Sequence, residues 1–185
     1  MKVDTKFYRR ALAPGCRTVI REELPADAAG VRRVNELAFG GLTEARIVDE
    51  LRASCPGLIS LVAAERETIV GHILFSPVVI EARGGDLRGM GLGPMAVLPD
   101  HQRQGIGSAL VRFGLEKLTS QSCPFVIVLG HPAYYPRFGF VKASVHGVQC
   151  QWEGVPGEAF MVLVLDQEVL SRLGGTAKYR QEFEH

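Results

Sequence analysis

The passage from Leu92 to Thr119 constrains this chain more than any other. Leu92-Gly93-Pro94-Met95-Ala96-Val97-Leu98 reads as a strand that stops at Pro99-Asp100. Gly105-Ile106-Gly107 then opens a helix. Ile106, Ala109, Leu110 and Phe113 share one face of it, and Val111, Leu115 and Leu118 share another. Only Ser108, Arg112 and Glu116 form a polar stripe, so the helix lies buried against a sheet. Its first turn leaves backbone N–H groups without intrahelical acceptors, at the positive end of the helix dipole. Two glycines there let a ligand approach the backbone. A strand, an open turn and a helix N-terminus make an anion site, best matched to phosphate. Pro94 conflicts with a central ladder, so a bulge or broken pairing is expected there.

The flanking pattern supplies the rest of an α/β fold. Arg17–Glu22 alternates and is β-branched, as a strand does. Pro25 and Asp27 start a helix carrying Ala28, Val31, Val34 and Ala38 at helical spacing, and Gly40-Gly41 ends it. Thr43 opens a second helix, with Ile47, Val48 and Leu51 on its apolar face, ending near Cys55-Pro56-Gly57. Leu58–Ala64 and Thr68–Glu81 form a hairpin about Glu65-Arg66-Glu67. Pro124–Leu129 is short and wholly apolar, as a central strand covered on both faces would be. A short helical or turn segment is expected over His131–Arg137. Strands are expected over Phe138–Ser144 and Phe160–Leu165, a terminal helix over Gln167–Leu173 and a polar tail from Lys178. The sum is a mixed, mostly antiparallel sheet of six to seven strands with helices on both faces. Residues 1–16 read as a basic arm, 17–165 as one domain, and 166–185 as a C-terminal helix and tail.

Composition narrows the function. The net charge of +1 argues against a broad nucleic-acid face. No apolar run approaches the ~20 residues of a membrane helix, and no secretory h-region follows the basic start. The 4 cysteines form no C-x-x-C pair, so a zinc site, or any other metal, and a disulfide framework are not expected. A cytoplasmic protein with reduced thiols follows. Glycine is in excess, 21 residues in all, against roughly 7% in average usage. The excess is concentrated at Gly84, Gly85, Gly89, Gly91, Gly93, Gly105 and Gly107. The last two belong to the phosphate turn. Gly91 and Gly93 flank the proline-bearing strand, where a ligand could come close, and the other three read as turn residues.

The phosphate turn is not a Walker A loop, for no G-x-x-x-x-G-K-[ST] string exists. Nor is it a dinucleotide fingerprint, because Leu110 stands where the third glycine is needed. Gln102 to Gly107 does fit Q-x-x-G-x-G. This resembles the coenzyme motif, [RQ]-x-x-G-x-[GA], of the GCN5-related N-acetyltransferases. Tyr134-Tyr135-Pro136-Arg137-Phe138-Gly139-Phe140 resembles that family's F-Y-x-x-x-G-F segment, in the expected order. The wording of GHILFSPV, LGPMAVLPDHQRQGIG and HPAYYPRFGF is similar to the YhbS-like branch. The resemblance spans Thr18 to Leu165.

The resemblance implies a fold with two splayed strands and a notch for the pantetheine arm of acetyl-CoA. It implies that backbone N–H groups of Arg103, Gln104, Gly105, Ile106, Gly107 and Ser108 hold the pyrophosphate, with Gln102 also in the cofactor-binding turn. Met95, Ala96 and Val97 would pair with the pantetheine amides as an added strand does. One N–H there would stabilise the tetrahedral oxyanion. Tyr135 matches the tyrosine that protonates the departing thiolate, with Tyr134 as the competing phenol. A phenol near ~10 giving its proton to a thiol near ~8.5 is uphill by about 2 kcal/mol. Pro136 biases Tyr135 away from helical angles.

An acceptor ammonium must lose a proton before it attacks. His72, on the third strand of the set, is the candidate base whose ordinary pKa suits neutral pH; the other reading is a satisfied histidine within the sheet. A water chain serves equally, and His131 and Asp100 are weaker candidates. Glu44 lies where the family contacts acceptors, or it is a helix-dipole partner. Trp152 walls the acceptor site or packs on the sheet or a second subunit, and a homodimer is compatible with the chain. Cys123 and Cys150 lack an activating neighbour, so direct transfer is expected rather than an acyl-enzyme. The expected activity is transfer of an acetyl or other acyl group from acetyl-CoA to a primary amine, on a small molecule or on a peptide or protein. A non-catalytic acyl-CoA-binding module and a nucleotide-phosphate enzyme are the alternatives.

Overall fold

The computed structural model describes residues 10–11 and 18–184. The remainder of the expected arm, residues 1–9 and 12–16, lies outside them. The chain forms two compact units, neither continuous in sequence. Among the described residues, the first comprises those up to Leu74 together with Pro94–Gly114, and the second Phe75–Gly93 together with those from Leu115 onward.

In chain order the strands are β1 (Arg10–Ala11), β2 (Thr18–Glu22), β3 (Ile59–Glu65), β4 (Thr68–Glu81), β5 (Leu87–Val97), β6 (Phe125–Leu129), β7 (Val141–Lys142), β8 (Val148–Cys150), β9 (Phe160–Val164) and β10 (Gly175–Lys178). The α-helices are α1 (Ala28–Phe39), α2 (Thr43–Ser54) and α3 (Ile106–Ser120). The mixed α/β class holds. The strand count among the described residues exceeds six to seven because four strands have two to four residues, too short for an alternation to register.

In the first unit β1, β2, β3 and the start of β4 are neighbours in that order. Arg10 lies opposite Ile20, and Thr18–Glu22 runs antiparallel to Leu61–Glu65. Helix α1 buries Val31, Val34 and Asn35, and α2 buries Ala45, Val48 and Leu51. Gly40 ends α1 in the left-handed region, φ 72°, as a glycine cap does. The first turn of α3 packs on β4 at Gly71. A Cβ there would stand 3.0 Å from Ile106 Cγ2, 3.1 Å from Leu110 Cδ1 and 3.2 Å from Ala63 Cβ. The Leu98 N–H donates to Val70 O at 2.9 Å, fixing where the turn before α3 begins.

In the second unit the neighbours run β8, β10, β4, β5, β6, β9, β7. Strand β5 is parallel to β6 from Met90 to Leu92, and β9 returns antiparallel along all of β6. The β5–β6 register ends at Leu92, immediately before Gly93 at φ 149° and Pro94. The proline therefore follows the paired stretch. The core of this unit gathers Val78, Ile80, Phe125, Ile127, Phe160 and Val162, all buried.

Several expectations need correction. Strand β5 begins at Leu87, not Leu92, and takes in Gly89 and Gly91. Gly89 is not a turn residue, because a side chain there would collide with the Phe125 ring. Of Phe138–Ser144 only Val141–Lys142 is strand; 3-10 turns flank it on both sides. Gln167–Arg172 is a 3-10 helix, and the supposed polar tail begins within β10. Amphipathic alternation cannot reveal such a strand when its inward residues are Gly175 and Ala177.

The seat of α3 generates a prediction. Gly71→Val adds bulk where three side chains already touch, and overpacking of this kind destabilises by about 1–3 kcal/mol. Urea unfolding of the variant is expected to show a lower midpoint with an unchanged slope.

Candidate coenzyme and acyl-transfer site

The phosphate turn lies wholly within the first unit. Strand β5 ends at Val97, a 3-10 turn covers Pro99–His101, and α3 starts at Ile106. His101 N–H donates to Leu98 O and Gln102 N–H to Pro99 O, closing the turn on itself. Two glutamine side chains brace it from within. Gln102 Nε2 donates to Val97 O at 3.1 Å, and Gln104 Nε2 donates to Asp100 O at 3.0 Å. Arg103 and Gly105 both adopt left-handed angles, φ 60° and 86°. Two left-handed residues so close together curl the backbone tightly just before the helix. The first bond of α3 runs from Ala109 N–H to Gly105 O at 3.0 Å. The N–H groups of Ile106 and Gly107 therefore point out of the helix start. Gln102 to Gly105 are exposed and Ile106 is buried, so the loop faces solvent while the helix is anchored. Just before the turn, Ala96 is buried, and Met95 and Val97 are half-buried.

His72 sits in the same unit and is fully buried. Asn35 Nδ2 donates to Val31 O at 2.9 Å, which fixes the orientation of its amide. The same nitrogen lies 3.1 Å from His72 Nδ1, so Nδ1 accepts and Nε2 carries the hydrogen. Nε2 faces Ser60 Oγ at 3.0 Å, and Ser60 donates in turn to Glu23 Oε2. Arg52 closes the chain, with Nε 2.9 Å from Glu23 Oε1. Burial, and then the positive charge of Arg52, push the His72 pKa down to about 3. The expectation of a histidine titrating near neutrality does not hold. Both ring nitrogens are engaged, and the environment is that of a neutral histidine satisfied within the sheet. A general base needs a reachable lone pair and a pKa near the working pH. Sequence reasoning missed Asn35, Ser60, Glu23 and Arg52. The available signal was Asn35 itself, a polar residue on the Val31–Val34 face of α1. Glu44 lies half-buried in the first turn of α2.

Tyr135 belongs to the second unit. It opens a 3-10 helix, Tyr135–Phe138, with Pro136 at a position that needs no N–H donor. The proline thus does not keep Tyr135 out of a helical turn, contrary to expectation. The ring is buried against Gly130, where any side chain would collide with it. Phe140 is edge-on at 5.6 Å and Tyr134 at 5.1 Å. Burial, and then Tyr134, raise the Tyr135 pKa well above the ordinary phenol value. Tyr134 is half-buried, under the Arg137 guanidinium at 4.6 Å. Trp152 stacks on Tyr179 at 4.9 Å, which is packing within the unit. The space at Gly91 is occupied by the Tyr179 ring, so its role is to seat that ring rather than to admit a ligand. Burial also raises the Cys123 pKa, against the opposing effect of its backbone hydrogen bonding at Phe125 and Met90; the thiol donates to Phe125 O at 3.2 Å. A thiol so held is not a nucleophile at neutral pH. Among the described residues, no group of three or more His, Cys, Asp or Glu side chains could hold a metal ion. Nor is any helix among them long and apolar enough to cross a membrane.

An exposed, tightly curled turn at the start of a buried helix, reached from a proline-bearing strand, agrees with a family model. Residues 20–143 match the acetyltransferase (GNAT) domain. The chain belongs to the GNAT acetyltransferase family. It is 36% identical over 166 residues to YhbS of Escherichia coli K12, described as an uncharacterised N-acetyltransferase, covering 89% of this chain and 98% of that one. The crystal structure of E. coli YhbS in complex with CoA aligns at TM-score 0.85 with 35% identity, covering 95% and 97% of the two chains. A GNAT acetyltransferase from Brucella melitensis in complex with acetyl-CoA aligns at TM-score 0.73 with 36% identity, covering 90% and 97%.

The His72 environment has a measurable consequence for this GNAT chain. Its folded pKa is depressed from 6.5 to about 3. Between those values the unfolded chain binds the extra proton, so stability falls as pH is lowered through that window. One such group removes up to about 1.4 kcal/mol per pH unit. Equilibrium unfolding at pH 7 and pH 5 should differ by roughly 2 kcal/mol from this residue. His72→Gln should remove most of that difference.

Proposed function

We propose that this protein transfers an acetyl group from acetyl-CoA to a primary amine by direct attack on the thioester. The observation that carries this reading is the turn Gln102–Gly105 leading into α3. It is braced by side-chain bonds to backbone carbonyls, it has left-handed angles at Arg103 and Gly105, and it faces solvent. Such a turn meets a diphosphate with fixed N–H dipoles, so little reorganisation accompanies binding. The CoA and acetyl-CoA complexes of the two relatives support the choice of ligand.

In this reading the backbone N–H groups from Arg103 to Ser108 hold the pyrophosphate. The Gln102 side chain acts at one remove, by tying the turn to Val97 O. Met95, Ala96 and Val97 pair with the pantetheine amides, and one N–H of that strand polarises the thioester carbonyl. The amine attacks the carbonyl carbon, the tetrahedral oxyanion collapses, and the C–S bond breaks. Tyr135 gives its phenolic proton to the sulfur. The ammonium loses one proton to water before it attacks and the intermediate's nitrogen loses a second to water as it collapses, since His72 offers no free lone pair; one of these two protons replaces the one Tyr135 gives to sulfur and the other passes to solvent. Glu44, in the first turn of α2, contacts the acceptor.

Two measurements test this. Tyr135→Phe is expected to lower kcat for thiol release from acetyl-CoA by ~10²-fold or more, with coenzyme affinity nearly intact. An unchanged kcat would remove Tyr135 from the chemistry. Gly105→Val forces a β-branched residue to φ 86°, which L side chains avoid. Calorimetric titration with CoA is expected to show affinity at least tenfold weaker, an order-of-magnitude figure for losing one well-aligned charged hydrogen bond. Thermal shift should also favour CoA over ATP or NAD; the reverse order would point to a nucleotide enzyme. Screening amines of graded size, from monoamines to aminoacyl amides and peptide N-termini, defines the acceptor class. A chain that binds CoA but releases thiol with none of them is a binding module.

A further inference from the structure

The stretch from α3 to the end of β8 carries a charge pattern that the proposed transfer leaves unused. No acidic residue occurs between Glu116 and Glu153, whereas Lys117, Arg137 and Lys142 do. The whole chain is nearly neutral, at +1, so this interval is a local excess of positive charge. Arg137 is exposed within it. Its guanidinium carbon lies over the Tyr134 ring, 4.6 Å from the centroid. Among the described residues Arg137 has that ring for a partner and no acidic side chain.

An arginine held in this way differs from one that is merely solvated. Its backbone is fixed on both sides. The Tyr134 N–H donates to His131 O at 2.9 Å, and the Gly139 N–H donates to Pro136 O at 3.0 Å. The ring beneath it is fixed as well, edge-on to Tyr135 at 5.1 Å and to Phe138 at 5.4 Å. A guanidinium lying on an aromatic face is oriented by it while its N–H edges stay free. Part of the side-chain freedom that binding would remove is therefore already lost. What is left is a planar fork of donors, matched in shape to a carboxylate or a phosphate.

Tyr134 touches both the guanidinium and the Tyr135 ring, so Arg137 stands one ring away from the proposed acid. Two reactants of the transfer can bring an oxyanion. CoA carries a 3′-phosphate, which the diphosphate turn leaves without an assigned partner. An acceptor amine can carry a carboxylate or phosphate a few bonds from its nitrogen.

We propose that Arg137 is an anion-binding residue of the acyl-transfer site: held on the Tyr134 ring, its guanidinium binds a phosphate or carboxylate group of one of the two reactants. It binds and orients that group, and no proton is transferred at it. This rests on the acyl-transfer reading above.

The experiment compares the full chain with Arg137→Gln. Calorimetric titration with CoA and with 3′-dephospho-CoA reads the first source. Thiol release from acetyl-CoA reads the second, with amines taken in pairs that differ only in an anion, such as an amino acid and its amide. The side chain is exposed, so the melting temperature should stay within a few degrees. The unaltered chain should favour the anionic member of one pair. Arg137→Gln should shrink that preference by roughly ten- to a hundredfold, the range for hydrogen bonds to a charged group. Loss of the preference for CoA over dephospho-CoA assigns the 3′-phosphate. A KM that rises for the acid and not for its amide assigns the acceptor. The proposal is overturned if both ratios are the same in the variant and the unaltered chain, an amine panel without turnover counting as no difference. An unaltered chain that binds neither CoA nor dephospho-CoA instead removes the coenzyme reading on which the proposal rests.

Discussion

The contact between Gly71 and the first turn of α3 sets where that helix can begin. Ile106 and Leu110 come down on a β4 residue that has no side chain, and Ala63 fills the remaining space. A helix anchored so close to its N-terminus cannot fray there. Its first N–H groups must then be satisfied by something other than the helix. The Gln102 and Gln104 side chains occupy nearby carbonyls and leave the donors facing outward. A rigid, donor-rich turn results from packing on one side and carbonyl capping on the other. Preorganisation of this kind matters because a mobile loop would have to be ordered each time a diphosphate bound.

A second constraint acts in the same unit through a different physics. The chain Asn35, His72, Ser60, Glu23, Arg52 joins α1, β4, β3, the residue after β2 and α2 through side-chain bonds. Each member is satisfied by the next, except Asn35 Oδ1, which is buried and has no partner among the described residues. A network of this kind specifies one arrangement of helices over a sheet more narrowly than apolar packing can. It works only with a neutral imidazole. A protonated ring would have to donate from Nδ1 into an amide nitrogen that is itself a donor. The depressed pKa of His72 and the direction of the Asn35 hydrogen bond therefore describe the same restriction.

Much of this was legible in the sequence, for identifiable reasons. The α3 boundary and the phosphate turn are local: proline, two glycines and an apolar periodicity lie within one stretch. The expected helices, Pro25 to Gly40 and Thr43 to Cys55, were bounded by caps and stops that act over a few residues. The short strands β7, β8 and β10 were not legible, because pairing with distant partners defines them. Gly175 beside Glu81 is a tertiary fact with no local mark. The role of His72 was not readable either. A histidine in an apolar strand suits both a base and a satisfied core residue, and Asn35 and Ser60, which decide between them, lie 37 and 12 residues away in sequence. A glycine that seats an aromatic ring has the same local mark as one that makes a turn, as at Gly89, or one that admits a ligand, as at Gly91.

The acid proposed at Tyr135 belongs to the second unit. With ordinary values, moving a proton from a phenol to a thiolate is already uphill by about 2 kcal/mol. Burial and Tyr134 raise the Tyr135 pKa further, so the resting structure makes this phenol a weaker acid than free tyrosine. A weak acid that acts only on a strong base is useful here. The Tyr135 phenol stays protonated at every physiological pH, and in the proposed reaction it would respond only to a thiolate, stripped of water, forming beside it. That selectivity has a physical consequence: the phenolate must be stabilised at the moment it appears and not before. A donor that stabilised it in the resting state would lower the pKa, and the pKa is raised.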